Sequence, residues 1–170
     1  MRCLVPSLSC LLIVVWAGCA GYKLGPTSGA VAGARSIQIN FFRNETLEPR
    51  LSEPLTSALR KRLLQEGTFR LNSHGDGDIV VNGVITKFNR SHLSFQPTDV
   101  LTVRDYNLSL VARVVVVDRS AGKTMLDREV GGRTTIRVGV DLGSAERQAI
   151  PLLAEDLARN IASLLVDGEW

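Results

Sequence analysis

The stretch Arg104 to Asp118, RDYNLSLVARVVVVD, decides the fold. Tyr106, Leu108, Leu110, Ala112, Val114 and Val116 occupy every second position, with Asn107, Ser109, Val111, Arg113, Val115 and Val117 between them. A period of two belongs to an extended chain, whose successive side chains point to opposite sides. One fully apolar side and a second that is half β-branched predict a long strand, central in its sheet. Ser120-Ala121-Gly122-Lys123 reads as a turn, after which Thr124 to Val138 (TMLDREVGGRTTIRV) returns as a second long strand, making a hairpin. Gly131-Gly132 midway along it predicts a bulge or bend, because two residues without Cβ weaken a ladder.

Working outward, Ile79 to Phe88 (IVVNGVITKF) is a β-branched run and a further strand, while Arg35 to Phe42 (RSIQINFF) alternates Ile37, Ile39 and Phe41 against polar residues. Leu51, Leu55, Leu59 and Leu63 recur every four residues and form one stripe of a helix. Pro54 is unsuited to a helix interior, so this helix starts near Ser52, the candidate N-cap, and stops at Gly67. Thr68 to Leu71 is a short strand and Asn72 to Asp78 a turn. Ile150, Leu153, Leu157, Ile161, Leu164 and Leu165 trace a second amphipathic helix, with Ser144 as its candidate N-cap. Pro151 predicts a start near Ile150 or a kink there. The expected fold class is α+β: a mixed or antiparallel sheet of about four strands with two helices packed on one face, a two-layer sandwich. Such a sandwich leaves one sheet face without cover.

The N-terminal end has a different character. Met1-Arg2 precedes an apolar run from Leu4 to Trp16, broken by Pro6, Ser7 and Ser9. That run is too interrupted for a spanning helix, which needs about 20 apolar residues in succession, and has the order of an export signal. Residues 20–34 are rich in Gly, Ala, Ser and Pro without periodicity and read as a tether. The organisation expected is a signal peptide at 1–18, a flexible tether at 19–34 and a single α/β domain at 35–168.

Trp16-Ala17-Gly18-Cys19 resembles the lipobox of bacterial lipoproteins. The resemblance implies that the Cys19 sulfur receives a diacylglycerol and its freed amine a further acyl chain, the only non-protein group expected. Of three cysteines, Cys3 and Cys10 fall in the discarded segment, so the mature chain keeps Cys19 alone. A lone thiol at the first mature residue builds no disulfide framework.

Composition bounds the remaining classes. A hydrophobic content of 45% with 22% charged residues is globular rather than disordered. Losing Arg2 with the leader takes one from the formal charge of +3 and leaves +2, too mild for a nucleic-acid partner. His74 and His92 lie at no metal-ligand spacing, and Asp76-Gly77-Asp78 lacks the further oxygens of a calcium loop, so no metal is expected. There is no Gly-x-Ser-x-Gly elbow and no phosphate-cradling glycine loop between a strand and a helix. An enzyme is not expected.

Several stretches together resemble the lipopolysaccharide-assembly lipoprotein family, LptE: Gly21-Tyr22-Lys23-Leu24 after the lipobox, Asn44-Glu45-Thr46-Leu47-Glu48-Pro49, Leu55-Thr56-Ser57-Ala58-Leu59-Arg60, Gly67-Thr68-Phe69-Arg70-Leu71, Tyr106-Asn107-Leu108-Ser109-Leu110, and Glu146-Arg147-Gln148-Ala149 with Ala154-Glu155-Asp156-Leu157-Ala158. The resemblance implies an outer-membrane lipoprotein, lipid-anchored on the periplasmic side, that lodges in the β-barrel protein LptD and helps assemble it. Together the pair inserts lipopolysaccharide into the outer leaflet. The family's lipopolysaccharide-contacting residues do not align here position by position. Arg90, Arg104 and Arg137 are nominated as contacts by location and charge, since arginine forks clamp phosphates in two-pronged fashion. The alternative is a carrier lipoprotein that binds one amphiphile by itself.

Overall fold

The computed structural model describes residues 33–96, 99–137 and 141–167, with the backbone alone between 94 and 104. The expected signal peptide, Cys19 and nearly all of the tether lie outside these residues. The elements in order are β1 (Ser36–Ile39), β2 (Arg43–Asn44), α1 (Ser52–Glu66), β3 (Arg70–Leu71), β4 (Ile79–Gln96), β5 (Asp99–Asp118), β6 (Lys123–Arg137) and α2 (Leu142–Val166).

Among the described residues the sheet has six strands rather than about four, in the order β3-β1-β4-β5-β6, with β2 following β1 along the same side of β4. It is mixed: β1 runs parallel to both β3 and β4, while β4, β5 and β6 form an antiparallel meander. Strands β2 and β3 are two residues each, too short for periodicity to register. Both helices share one face. Leu55, Leu59 and Leu63 of α1, and Leu153, Leu157 and Ile161 of α2, join the inner residues of the sheet in a single core. Leu108, Leu110, Ala112, Val114 and Val116 of β5 are buried in it, on the side the alternation assigned.

Three local expectations change. The alternation of the first strand breaks at Asn40, so Phe41 is 65% exposed and Phe42 takes the core position. The Phe42 ring lies on Gly83, where a Cβ would fall inside the ring, and its backbone N–H donates to the Thr56 hydroxyl (3.3 Å) instead of a strand. Second, α1 begins at Ser52 without any side-chain cap, and Pro54 falls in its first turn, where the missing N–H had no partner to lose. A cap adds about 1 kcal/mol and each buried leucine about 2 kcal/mol, so packing suffices to hold this helix. Third, α2 starts eight residues before Ile150 and runs through Pro151. Its cap is Asp141, whose carboxylate accepts from the N–H groups of Gly143 (3.1 Å) and Ser144 (2.9 Å) and from the Ser144 hydroxyl (2.7 Å). These Ser144 and Gly143 donors hold the Asp141 carboxyl below its usual range.

Gly131-Gly132 produces no bulge, since Val111 and Leu110 pair with them in unbroken register. The glycines serve helix docking instead. A Cβ on Gly132 would sit 2.6 Å from the backbone nitrogen of Leu157 and 2.7 Å from its Cβ. Helix α2 therefore lies directly on the backbone of β6 at this point. Two of its side chains also reach the outer edge of that strand: Asn160 Nδ2 donates to the Gly131 carbonyl (2.8 Å), and Asp156 Oδ2 accepts from the Arg133 N–H (3.0 Å). On the opposite side, Arg60 donates to the Ile39 carbonyl (3.1 Å). Backbone groups that would otherwise invite another strand are thereby occupied.

Two outcomes follow. Gly132→Ala should destabilise the domain by about 1–3 kcal/mol in denaturant unfolding, the range for forcing a group into packed space, whereas Gly131→Ala, whose Cβ meets only the Leu110 carbonyl at 3.9 Å, should stay within about 0.5 kcal/mol. Because the Asp141 pKa is depressed on folding, its contribution is complete above the ordinary aspartate value of 3.8 and disappears as pH falls through the lower folded value. Acid titration of stability should therefore be shallower below pH 4 in Asp141→Asn than in the parent.

Candidate functional site

The three nominated arginines do not form one cluster. Arg90 lies on β4 in register with Leu108, a core-facing position of β5, while Arg137 on β6 pairs with Asp105, whose register places it on the uncovered face. Arg104 is on β5 next to Asp105, where only the backbone is described. Cys19 is outside the described residues.

Arg90 is held from two sides. Its Nη2 donates to Glu48 Oε2 (2.8 Å) and to Glu146 Oε2 (3.1 Å), and its Nε donates to the other Glu146 oxygen. The guanidinium also stands over the Phe88 ring, 4.9 Å from its centroid. Hydrogen bonding to Glu146 raises the Arg90 pKa, reinforced by the charges of both carboxylates. One side chain thus ties β4 to the β2–α1 loop and to the first turns of α2. Separations of 42 and 56 residues explain why no spacing rule pointed to Glu48 or Glu146.

Arg137 is far less constrained. It is 68% exposed and donates to Asp105 Oδ1 (2.9 Å). Around it the uncovered face is a mosaic of polar groups and valines: Asn82 and Val84 from β4, Ser109, Val111, Arg113 and Val115 from β5, Asp127, Glu129 and Thr135 from β6. Arg113 grips Asp127 with two parallel bonds of 2.7 Å each, which raise its pKa and lower that of Asp127. Lys87 lies 4.0 Å from Glu129. Charges on this face largely neutralise one another within the sheet, so it offers no strong field to an anion.

The Asp76-Gly77-Asp78 segment works as a turn. Asp76 accepts from Asn72 Nδ2 (2.6 Å), while Asp78 accepts from the Ser36 N–H (2.8 Å) and hydroxyl (2.7 Å). The Ser36 bonds lower the Asp78 pKa and pin the start of β1 to that of β4. Among the described residues no group of three or more His, Cys, Asp or Glu stands ready to hold a metal ion, and no helix is long and apolar enough to cross a membrane.

Comparison with known proteins adds the following. The architecture matches the hypothetical protein CT253 from Chlamydia trachomatis at 13% identity, covering 79% of this chain and 96% of that one with a TM-score of 0.58. It also matches protein XCC0632 from Xanthomonas campestris at 8% identity (85% and 91% covered, TM-score 0.57) and a minor lipoprotein from Acinetobacter baumannii at 13% identity (78% and 93% covered, TM-score 0.52). At these identities the likeness concerns the fold. No curated protein sequence matches the chain significantly. The family model described as LptE, lipopolysaccharide-assembly, matches residues 34–165, from just before β1 to the last turn of α2. With the whole sandwich inside that match, the chain belongs to the LptE lipopolysaccharide-assembly family.

Proposed function

We propose that this protein is a lipoprotein of the outer membrane that seats its α/β domain in the β-barrel protein LptD, helps that barrel assemble, and assists passage of lipopolysaccharide to the outer leaflet. The family match across residues 34–165 carries the reading. The uncovered sheet face supports it, because a domain that plugs a larger pore needs surface left over for its host, and a polar, internally neutralised face suits a water-filled lumen. The space between helices and sheet is packed with leucine, isoleucine and valine, which weighs against the alternative of a self-sufficient amphiphile carrier.

In this reading residues 1–18 direct export, Cys19 carries the lipid, and residues 19–34 form the tether that raises the effective concentration of the domain at the barrel. Two or more acyl chains anchor stably, each buried methylene adding about 0.8 kcal/mol. Arg90, Arg104 and Arg137 remain the candidate lipopolysaccharide contacts. We place Arg137 ahead of Arg90, since Arg90 must first leave two carboxylates whereas Arg137 leaves one.

Cys19→Ala should move at least nine-tenths of the protein from the membrane pellet to the soluble periplasmic fraction in cells lacking the barrel. Continued sedimentation with outer membranes there would refute lipid anchoring. Arg137→Ala should weaken binding of purified lipopolysaccharide about fivefold at low salt, the scale of a charge-assisted hydrogen bond of ~1 kcal/mol, and more than Arg90→Ala does. Equal, unchanged affinities would remove both arginines from the contact.

A further inference from the structure

We propose that the outer edge of β4 around Phe88 and Arg90 is an acceptor for one extended peptide segment of the barrel partner, added to the sheet by backbone hydrogen bonds. The inference rests on the barrel-partner reading above and assigns that partner a docking position.

Strand β4 is covered on one side by β5 along its length, but on the other only as far as β1 and β2 reach. The last bond on that side runs from the Glu45 N–H to the Ile85 carbonyl (3.0 Å), after which the chain turns away into the β2–α1 loop. Antiparallel neighbours alternate between residues that bond their partner strand and residues that face away from it. Ile85, opposite Ala112, faces away. The register then shifts by one at the bulge between Ile85 and Lys87, which puts Phe88 and Arg90 on the outward-facing set. Among the described residues nothing is hydrogen-bonded to their backbone N–H and C=O groups on that side.

This stretch differs from the other margins of the sheet. Asn160, Asp156 and Arg60 occupy edge groups of β6 and β1, yet among the described residues no side chain does so here. Instead a cleft of about 590 Å³ runs between the strand and the loop Glu45–Glu48, with Lys87 and Phe88 on one wall and Thr46 and Leu47 on the other. Leu47 is fully exposed at its rim. An open row of backbone donors and acceptors is matched only by another extended backbone, and the cleft beside it, mostly polar with Leu47 and Phe88 as its two apolar side chains, gives that backbone's side chains a place to sit. The occupant is a single segment rather than a second copy of this domain, because the Glu45–Glu48 loop stands beside the open edge and a second sheet brought up edge to edge would meet it.

The test uses the full-length lipidated protein co-expressed with LptD, reading barrel recovered by affinity purification together with backbone amide exchange. Proline at an outward position removes the N–H without breaking the β4–β5 ladder, so Phe88→Pro should recover at least tenfold less barrel than Phe88→Ala, which loses the same ring. In the parent complex the amides of Phe88 and Arg90 should exchange at least tenfold more slowly than in the free protein. Equal recovery with both variants, together with unchanged exchange, overturns the strand acceptor while leaving the barrel partnership standing. Failure of the parent to recover any barrel overturns both. Should Phe88→Pro not fold, the exchange comparison on the parent decides alone. Slow exchange in the free protein assigns the edge to another occupant and also overturns the proposal: a second copy if it depends on concentration, the chain's own tether if it vanishes on deleting residues 20–32.

Discussion

Helix α2 can lie on the sheet as it does only because β6 has no side chain at Gly132. There the backbone of Leu157 comes so close that even a methyl group would be excluded. This contact sets the depth of the helical layer, and the remaining geometry follows from it. It brings Asp156 and Asn160 over the edge of β6, aligns Leu153, Leu157 and Ile161 with the inner residues of β5, and leaves α1 the space above β1 and β4. A second close approach, Phe42 on Gly83, fixes the other half of the core in the same way.

A sandwich built so tightly on one face has consequences for the other. Both helices are spent on the inner face, and their polar side chains close the margins of the sheet where they reach. The domain then presents a broad polar face, with arginine and carboxylate side chains paired across strands, and one stretch of β4 beyond the reach of its neighbours. For a member of a lipopolysaccharide-assembly family, this division separates what holds the fold from what is left for partners. The absence of a strong surface field also fits a small net charge of +3 in the full sequence, arranged as neutralised pairs rather than a basic patch.

The arginines show why charge and location alone rank poorly. Arg90 reads on the page as a basic residue before a loop, yet in the fold it joins three elements through Glu48 and Glu146 and rests on Phe88. Its exposure is shared with a structural duty. Arg137, with one partner and most of its surface in water, keeps its guanidinium available for exchange. Both are cations of the same kind; what differs is how many carboxylates each must let go of when it moves.

Much of the architecture was legible in one dimension. The alternation through Tyr106 to Val117 identified the central strand and its core side, the leucines at four-residue spacing identified α1, and Gly67, at φ 68°, ended that helix as glycine permits. These features depend on neighbours along the chain, so local periodicity records them. The residues resembling a lipobox and the ordered family stretches likewise belong to the sequence itself. What only the tertiary structure decided were matters of distance between remote segments. Among these are the helix-docking role of Gly132, the exchange of Phe41 for Phe42 in the core, the Asp141 cap, the Arg90–Glu48–Glu146 linkage and the edge of β4 left open past Ile85. A side chain's periodicity tells which way it points, but its partner is set by how strands and helices stack, and that stacking is encoded jointly by residues far apart in the chain.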